Sequence, residues 1–310
     1  MAHTHDRREL LRCMAWAGVG VVWTVAGGVA SSGLLTAEAQ SSKMKGKVQP
    51  LTFVQVSDSH IGFTKDANPD ARATFRDAVA LIKAMPQKPA FILHTGDVTQ
   101  LSKDEEFADA DAILSEAGVT AFHVPGEHDM LDEGQGKAFL DRYGKGTKGD
   151  GWFSFDHSGV HFIGLVNVKQ LQAGGMGHLG ADQLAWLEKD LAGRASSQPI
   201  VVFAHIPLWT VYAEWGWGTD DSAAALAMLK RFGSVTVLNG HIHQIQQKVE
   251  GNISFHTARS TAFPQPAPGE APSPGPKKVP ADQLKSVLGV RTVNIVNGAT
   301  PLAIIEKPLA

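Results

Sequence analysis

The chain has 310 residues, a formal net charge of -3 and 43% hydrophobic residues, enough to bury one large core rather than two small ones. Acidic and basic side chains are interleaved, so no basic patch exists to hold a phosphate backbone, which argues against nucleic acid as a partner. The single cysteine, Cys13, excludes a disulfide scaffold and thiolate metal sites, so any metal has to be held by imidazole, carboxylate or amide oxygen.

Residues 1–40 have the layout of an export signal. Arg7 and Arg8 precede an apolar stretch from Cys13 to Ala30 that is rich in glycine and alanine, and Ala37-Glu38-Ala39 offers a small-x-small cleavage site. The glycines keep the stretch only mildly hydrophobic, so a cleaved signal is expected, with a retained membrane anchor as the alternative. Paired arginines before such a core resemble twin-arginine (Tat) signals, whose route carries folded proteins; an ordinary secretory signal is the other reading. Either one places the mature chain in the periplasm or elsewhere outside the cytoplasm, after transient contact with the export machinery.

A polar linker, residues 41–50, leads into residues 51–310, which read as one domain. Short runs rich in Val, Ile and Phe alternate with segments of helical period, an α/β pattern. Strands are expected over Thr52–Val56, Ala90–His94, Thr120–Val124, Val160–Asn167, Ile200–Ala204 and Ser234–Leu238, with helices between most of them. The clearest helix covers Ala181–Leu191 and stops at Gly193. From Gln244 onward strand follows strand, over 244–249, 253–257, 291–296 and 302–306, which predicts a second, largely antiparallel sheet. The segment 263–280 carries seven prolines and reads as a long ordered or extended loop, a candidate lid.

Five short motifs follow expected strands: Asp58-Ser59-His60, Gly96-Asp97, Gly126-Glu127-His128-Asp129, Ala204-His205 and Gly240-His241-Ile242-His243. In open α/β sheets the carboxyl ends of the strands converge on one crevice, so distant segments deliver side chains to one point. Carboxylates and imidazoles packed together without a cation suffer desolvation and repulsion. Nitrogen and oxygen donors without sulfur suit Fe, Mn, Zn or Co, and a carboxylate able to bridge two ions suits a two-metal hydrolytic site. His94 and His123 alternate with apolar residues and read instead as core histidines or as supports behind the site, and His157, His161, His178 and His256 are given no role.

The five motifs, in this order, resemble the calcineurin-like metallophosphoesterase superfamily, nearest the branch of class III cyclic nucleotide phosphodiesterases. The resemblance covers Leu51 to His243 and implies a four-layer αββα sandwich, two mixed sheets facing each other with helices outside. It also implies two metal ions and a small phosphoester substrate. By position, Asp58, His60 and His243 would hold one ion, Asp97 would bridge, and His205 and His241 would hold the other. Glu127 stands where the family has asparagine. His128 would stabilise the phosphoryl group or serve as general acid, and a hydroxide bridging the ions would be the nucleophile.

The sequence departs from that pattern in two places. Glu127 adds a third carboxylate to Asp58 and Asp97, which predicts either a trivalent ion in one site or a diester monoanion as substrate. Gln100 occupies the position of a carboxylate that orients the catalytic histidine in many relatives, and Asp129 is the candidate replacement. The purple acid phosphatase branch places a tyrosine near Gly-Asp, and Val98-Thr99-Gln100 has none. Trp209 to Trp217 form an aromatic cluster that either rims the substrate site or packs its own loop down. The expected function is hydrolysis of small organic phosphoesters, diesters ahead of monoesters. A strict phosphomonoesterase and an impaired metal-holding binding module are the alternatives.

Overall fold

A computed structural model describes residues 21–26, 29–34, 51–295 and 303–309. Most of the export-signal segment lies outside the described residues. Within it, β1 (Val21–Ala26) and β2 (Val29–Leu34) pair antiparallel as a separate two-stranded sheet. Among the described residues, no helix is long and apolar enough to cross a membrane.

The rest forms two mixed sheets. The five-stranded sheet has the order β13 (Ala303–Pro308), β12 (Gly289–Ile295), β3 (Leu51–Val56), β4 (Ile92–His94), β5 (Ala121–His123). Its β3, β4 and β5 run parallel, with α1 (Ala71–Lys83) and α2 (Asp104–Ser115) as crossovers. The six-stranded sheet has the order β10 (Gln247–Glu250), β11 (Ile253–Thr257), β9 (Val235–Asn239), β8 (Ile200–Phe203), β7 (Val160–Gly164), β6 (Phe153–His157). Its four central strands are parallel and both edge strands antiparallel. The remaining helices are α3 (Lys137–Tyr143), α4 (Ala181–Leu191), α5 (Ser222–Leu229) and the short α6 (Leu284–Val287).

Side-chain alternation sorts the core into layers. Phe53, Phe162, Phe203, Leu238 and Val293 meet between the two sheets. On the outer face of the five-stranded sheet, Val54, Val56 and Ile92 pack on Phe75, Val79 and Ile82 of α1 and Phe107 of α2. On the outer face of the other sheet, Ile163, Val202 and Val237 pack on Leu187 and Leu191 of α4 and Leu229 of α5. Helix, sheet, sheet and helix are thus the four layers expected. Asp70 caps α1 by accepting from the Ala73 amide at 3.0 Å, which starts the helix where its apolar stripe begins.

The strands after Gln244 do not form a second sheet of their own. β11 pairs parallel with β9, Ile253 beside Val235, whereas β12 pairs antiparallel with β3, Arg291 beside Gln55. Alternation identifies a strand but not its neighbour, and parallel pairing leaves no hairpin signal. β6 was also not expected, although Phe153 and Phe155 alternate with polar residues before a Ser158-Gly159 turn to β7. Arg291 is fully buried, forms an ion pair with Glu306, and donates to Gln55 Oε1 at 3.0 Å and to the Thr257 carbonyl at 2.6 Å. It therefore ties the two sheets together.

Candidate metal centre

Each motif begins where a parallel strand ends: β3 delivers Asp58 and His60, β4 Asp97, β5 Glu127 and His128, β8 His205, and β9 His241 and His243. The turns after β3 and β4 are zipped together, with the Asp58 amide donating to the Gly96 carbonyl at 3.0 Å and the His60 amide to the Asp97 carbonyl at 2.9 Å. Asp58, His60, Asp97, His241 and His243 all have left-handed backbones, with φ of 53°, 40°, 52°, 69° and 51°. Such a conformation costs most L-residues about 1–2 kcal/mol and is better tolerated by Asp and His, and the surrounding turns hold these five side chains in it. A Cβ on Gly126 would lie 2.0 Å from Asp97 Oδ1, and one on Gly96 would lie 2.5 Å from His205 Nδ1, so both glycines let the ligand turns approach.

The side chains gather into two linked groups. In the first, His243 Nε2 lies 3.2 Å from Asp58 Oδ1 and 3.2 Å from His60 Nε2. In the second, Glu127 Oε2 lies 3.0 Å from His205 Nε2, and Glu127 Oε1 lies 2.9 Å from His241 Nδ1. Asp97 Oδ2 sits between the groups, 3.5 Å from His60 Nε2 and 3.4 Å from His205 Nε2. Two rings are oriented by backbone carbonyls: His243 Nδ1 donates to Phe263 at 2.6 Å and His205 Nδ1 to Thr95 at 2.7 Å. That fixes the tautomer and leaves each Nε2 lone pair facing inward.

These residues fit metal ions. His205 Nε2, Glu127 Oε2 and both ring nitrogens of His241 are buried without a hydrogen-bond partner, although carboxylate and imidazole atoms stand about a hydrogen-bond length apart. They converge on shared points rather than on one another, and an unpaired buried polar group costs about 1–3 kcal/mol. Within Asp58-His60-His243, Glu127-His205-His241 and Asp58-Asp97-His205, the donor atoms lie within 4.8 Å of one another. Burial works against the Asp58 charge, but His243, His205 and His60 outweigh it and hold the carboxyl well below its usual range. Burial pushes His60 down to about 3, toward the neutral form that coordinates a metal.

His128 borders this centre, its ring edge-on to that of His60 with centroids 4.8 Å apart. Its Nδ1 donates to the Gln100 backbone carbonyl at 2.8 Å, and the Gln100 side-chain amide lies 3.2 Å from the same nitrogen, so Gln100 borders the ring with both its main chain and its side chain. Asp129 is fully buried and accepts from the amides of Val98, Thr99 and Gly126 and from the Thr99 hydroxyl, at 2.9–3.0 Å. Its carboxylate braces the Gly126 turn against the Asp97 turn and makes no hydrogen bond to the His128 imidazole. His94 and His123 stack behind the site, and His94 Nε2 lies 2.9 Å from Ser59 Oγ, between two ligand residues.

Of the aromatic cluster, Trp217 is 1% exposed and Trp209 packs on Phe255, so these two rings hold their loop down. The Pro-rich segment contributes a residue that sequence reading missed. The Phe263 ring packs against His60 and His243 at 4.7 Å, and its carbonyl fixes His243. Aromatic character at the start of the proline run was visible, but no sequence signal marks a carbonyl acceptor.

A sequence model of the calcineurin-like phosphoesterase family matches residues 51–245, from β3 through the His241-His243 motif. The chain is 25% identical over 226 residues to a probable glycerophosphodiester phosphodiesterase, GpdQ, of Arcobacter nitrofigilis, covering 68% of this chain and 78% of that protein. Among solved structures it resembles a dimetal phosphatase from Danio rerio, with TM-score 0.55, 14% identity, and coverage of 84% of this chain and 99% of that one. It also resembles the purple acid phosphatase PPD1 of yellow lupin, with TM-score 0.62 and 13% identity over 90% of this chain and 54% of that one. At such identities these two likenesses show the fold alone. Motif order, converging donors and the family match lead to one assignment: the chain belongs to the calcineurin-like phosphoesterase family of metal-dependent phosphoester hydrolases.

Proposed function

We propose that the chain hydrolyses phosphodiesters at a two-metal centre. Asp58, His60 and His243 would hold one ion, Glu127, His205 and His241 the other, and Asp97 would bridge them. When bound, such a pair polarises phosphoryl oxygens and activates water near neutral pH. The observation that carries the diester reading is Glu127, whose carboxylate lies 3.0 Å from His205 and 2.9 Å from His241. With Asp58 and Asp97 it offsets three of the four charges of two divalent ions, which weakens attraction for a monoester dianion more than for a diester monoanion. The relative from Arcobacter nitrofigilis, a probable glycerophosphodiester phosphodiesterase, supports the same substrate class.

The protein's own groups supply positioning and proton transfer. Burial opposes protonation of His128, but Asp97 and Glu127 outweigh it and raise the imidazole pKa. With Nδ1–H held by Gln100, the Nε2 position is the one that donates to a phosphoryl oxygen or to the departing alkoxide. In the test, bis(p-nitrophenyl) phosphate and p-nitrophenyl phosphate are compared with the metal-loaded chain. A higher kcat/KM for the diester supports the reading. A strong monoester preference with two divalent ions bound would overturn it.

The reading extends to location: the Arg7-Arg8 segment directs export of the folded, metal-loaded chain. Arg7→Lys together with Arg8→Lys is expected to retain the protein in the cytoplasm of a host with a twin-arginine pathway. Unchanged export would contradict it.

A further inference from the structure

Four large hydrophobic side chains stand exposed among the described residues: Leu101 at 48%, Leu131 at 57%, Leu171 at 43% and Val249 at 74%. Single exposed leucines are ordinary, but their grouping here is not. Leu131 and Leu171 line one cavity of about 420 Å³, together with Met130 and Val168, and the same cavity is lined by Glu127 and His128 of the metal centre. Leu101 directly follows Gln100, whose carbonyl holds His128. Two of the four exposed hydrophobics therefore gather in the cavity beside His128, while Leu101 is not among its lining residues and Val249 lies on the edge strand β10.

Glu127 and His128 bring polarity to the end of this cavity at the metal centre, and Gln135 and Lys169 are its other polar residues, beside the apolar Met130, Leu131, Val168 and Leu171. Its only lysine or arginine, Lys169, is ion-paired to Asp150. No free cation waits there for a second phosphate or a carboxylate. The wall is shaped by the loop before α3, where Gln135 and Gly136 take consecutive left-handed conformations, with φ of 50° and 98°. The Gly136 amide and the Ala138 amide are both held by the Asp132 carboxylate, at 2.5 and 3.2 Å. Asp132 thus holds the turn that carries Gln135 on one side of the cavity, whose size suits an organic group larger than a few atoms.

We infer that one ester group of the substrate is an apolar alkyl or aryl alcohol, seated on Leu131 and Leu171 with its phosphoryl group at the metal centre. This rests on the phosphodiesterase reading and narrows it. A hydrophilic alcohol would leave the two leucines exposed to water, whereas an alkyl chain covers them, at about fourfold in affinity for each fully buried methylene. Hydrolysis adds water across the P–O bond, releasing one alcohol and leaving a phosphomonoester.

The test compares glycerophosphoethanol with glycerophosphohexanol, two diesters of the same charge and with alkoxides of similar reactivity. The ratio of kcat/KM, hexyl over ethyl, is expected to be about 10 or more in the wild-type metalloprotein, assuming half-buried methylenes. Leu131→Ser combined with Leu171→Ser should bring that ratio close to one, while Val249→Ser, which removes a still more exposed apolar group elsewhere, leaves it unchanged. A wild-type ratio near one, or a ratio that survives the double serine substitution, would overturn the inference while the diesterase reading stands. Failure to cleave either compound while bis(p-nitrophenyl) phosphate is turned over would overturn the inference alone, and failure on all three would remove the diesterase reading with it.

Discussion

Replacing Glu127 by glutamine tests the electrostatic basis of substrate choice. The substitution keeps the length of the side chain and an oxygen able to coordinate, but removes one negative charge from a group 3.0 Å from His205 and 2.9 Å from His241. For a phosphoryl group about 6 Å from that charge, at an effective dielectric of about 20, each unit of substrate charge is penalised by about 2.8 kcal/mol. A monoester dianion carries one unit more than a diester monoanion, so that amount separates the two. Screening and local relaxation reduce it, which gives an expected change of about 10- to 100-fold. The assay is kcat/KM for p-nitrophenyl phosphate and bis(p-nitrophenyl) phosphate at pH 8, in wild type and Glu127→Gln, with metal content measured in both. The monoester-to-diester ratio should rise by that factor. A ratio unchanged or lowered at equal metal content would refute the charge argument and leave Glu127 as a ligand only.

Three further outcomes follow from the structure. Asp97→Gly and Asp97→Ala both remove the carboxylate that lies between the two groups, but with φ of 52° at this position the glycine variant should be more stable by about 0.5–1 kcal/mol in urea unfolding under chelator; an alanine variant of equal or greater stability would remove the case for backbone strain. Arg291→Met should destabilise the fold by about 3–5 kcal/mol, because it strands the Glu306 carboxylate and the Gln55 and Thr257 acceptors; a loss below about 1 kcal/mol would show that the sheets do not depend on that clamp. Burial pushes His123 down to about 4. The folded state therefore excludes a proton that the unfolded chain binds, so this contribution is complete above pH 6.5 and is lost as pH falls toward 4. His123→Phe should flatten the fall in stability between pH 6.5 and 4.5 by up to about 1.4 kcal/mol per pH unit, and an unaltered slope would contradict this assignment.

The ligand types and their convergence were legible because each sits just past a strand, and strand ends in parallel sheets share one crevice. Asp58, Asp97, His205 and His243 needed only the α/β pattern to be placed. The left-handed backbone at Asp58, His60, Asp97, His241 and His243 was not legible: Asp and His tolerate it better than most residues, but the turns after β3, β4 and β9 impose it. Nor was the support of His128: the Gln100 side chain suggested a weakened acid, but the Gln100 main-chain carbonyl, 2.8 Å from Nδ1, accepts from the imidazole. Asp129, adjacent to His128 in sequence, faces into the protein because the turn at 127–130 carries it toward the Val98 and Thr99 amides. The tail misled for a related reason, as β11 and β12 are consecutive strands of the chain yet serve different sheets.

The central claim is a pair of ions bridged by Asp97, and elemental analysis of the purified chain beside Asp97→Asn tests it most directly. Two first-row transition-metal ions are expected per wild-type chain, and one or none in the variant, with the loss of all phosphoester turnover. A wild-type chain that binds no metal after loading, or an Asp97→Asn chain that keeps both ions and full activity, would contradict it.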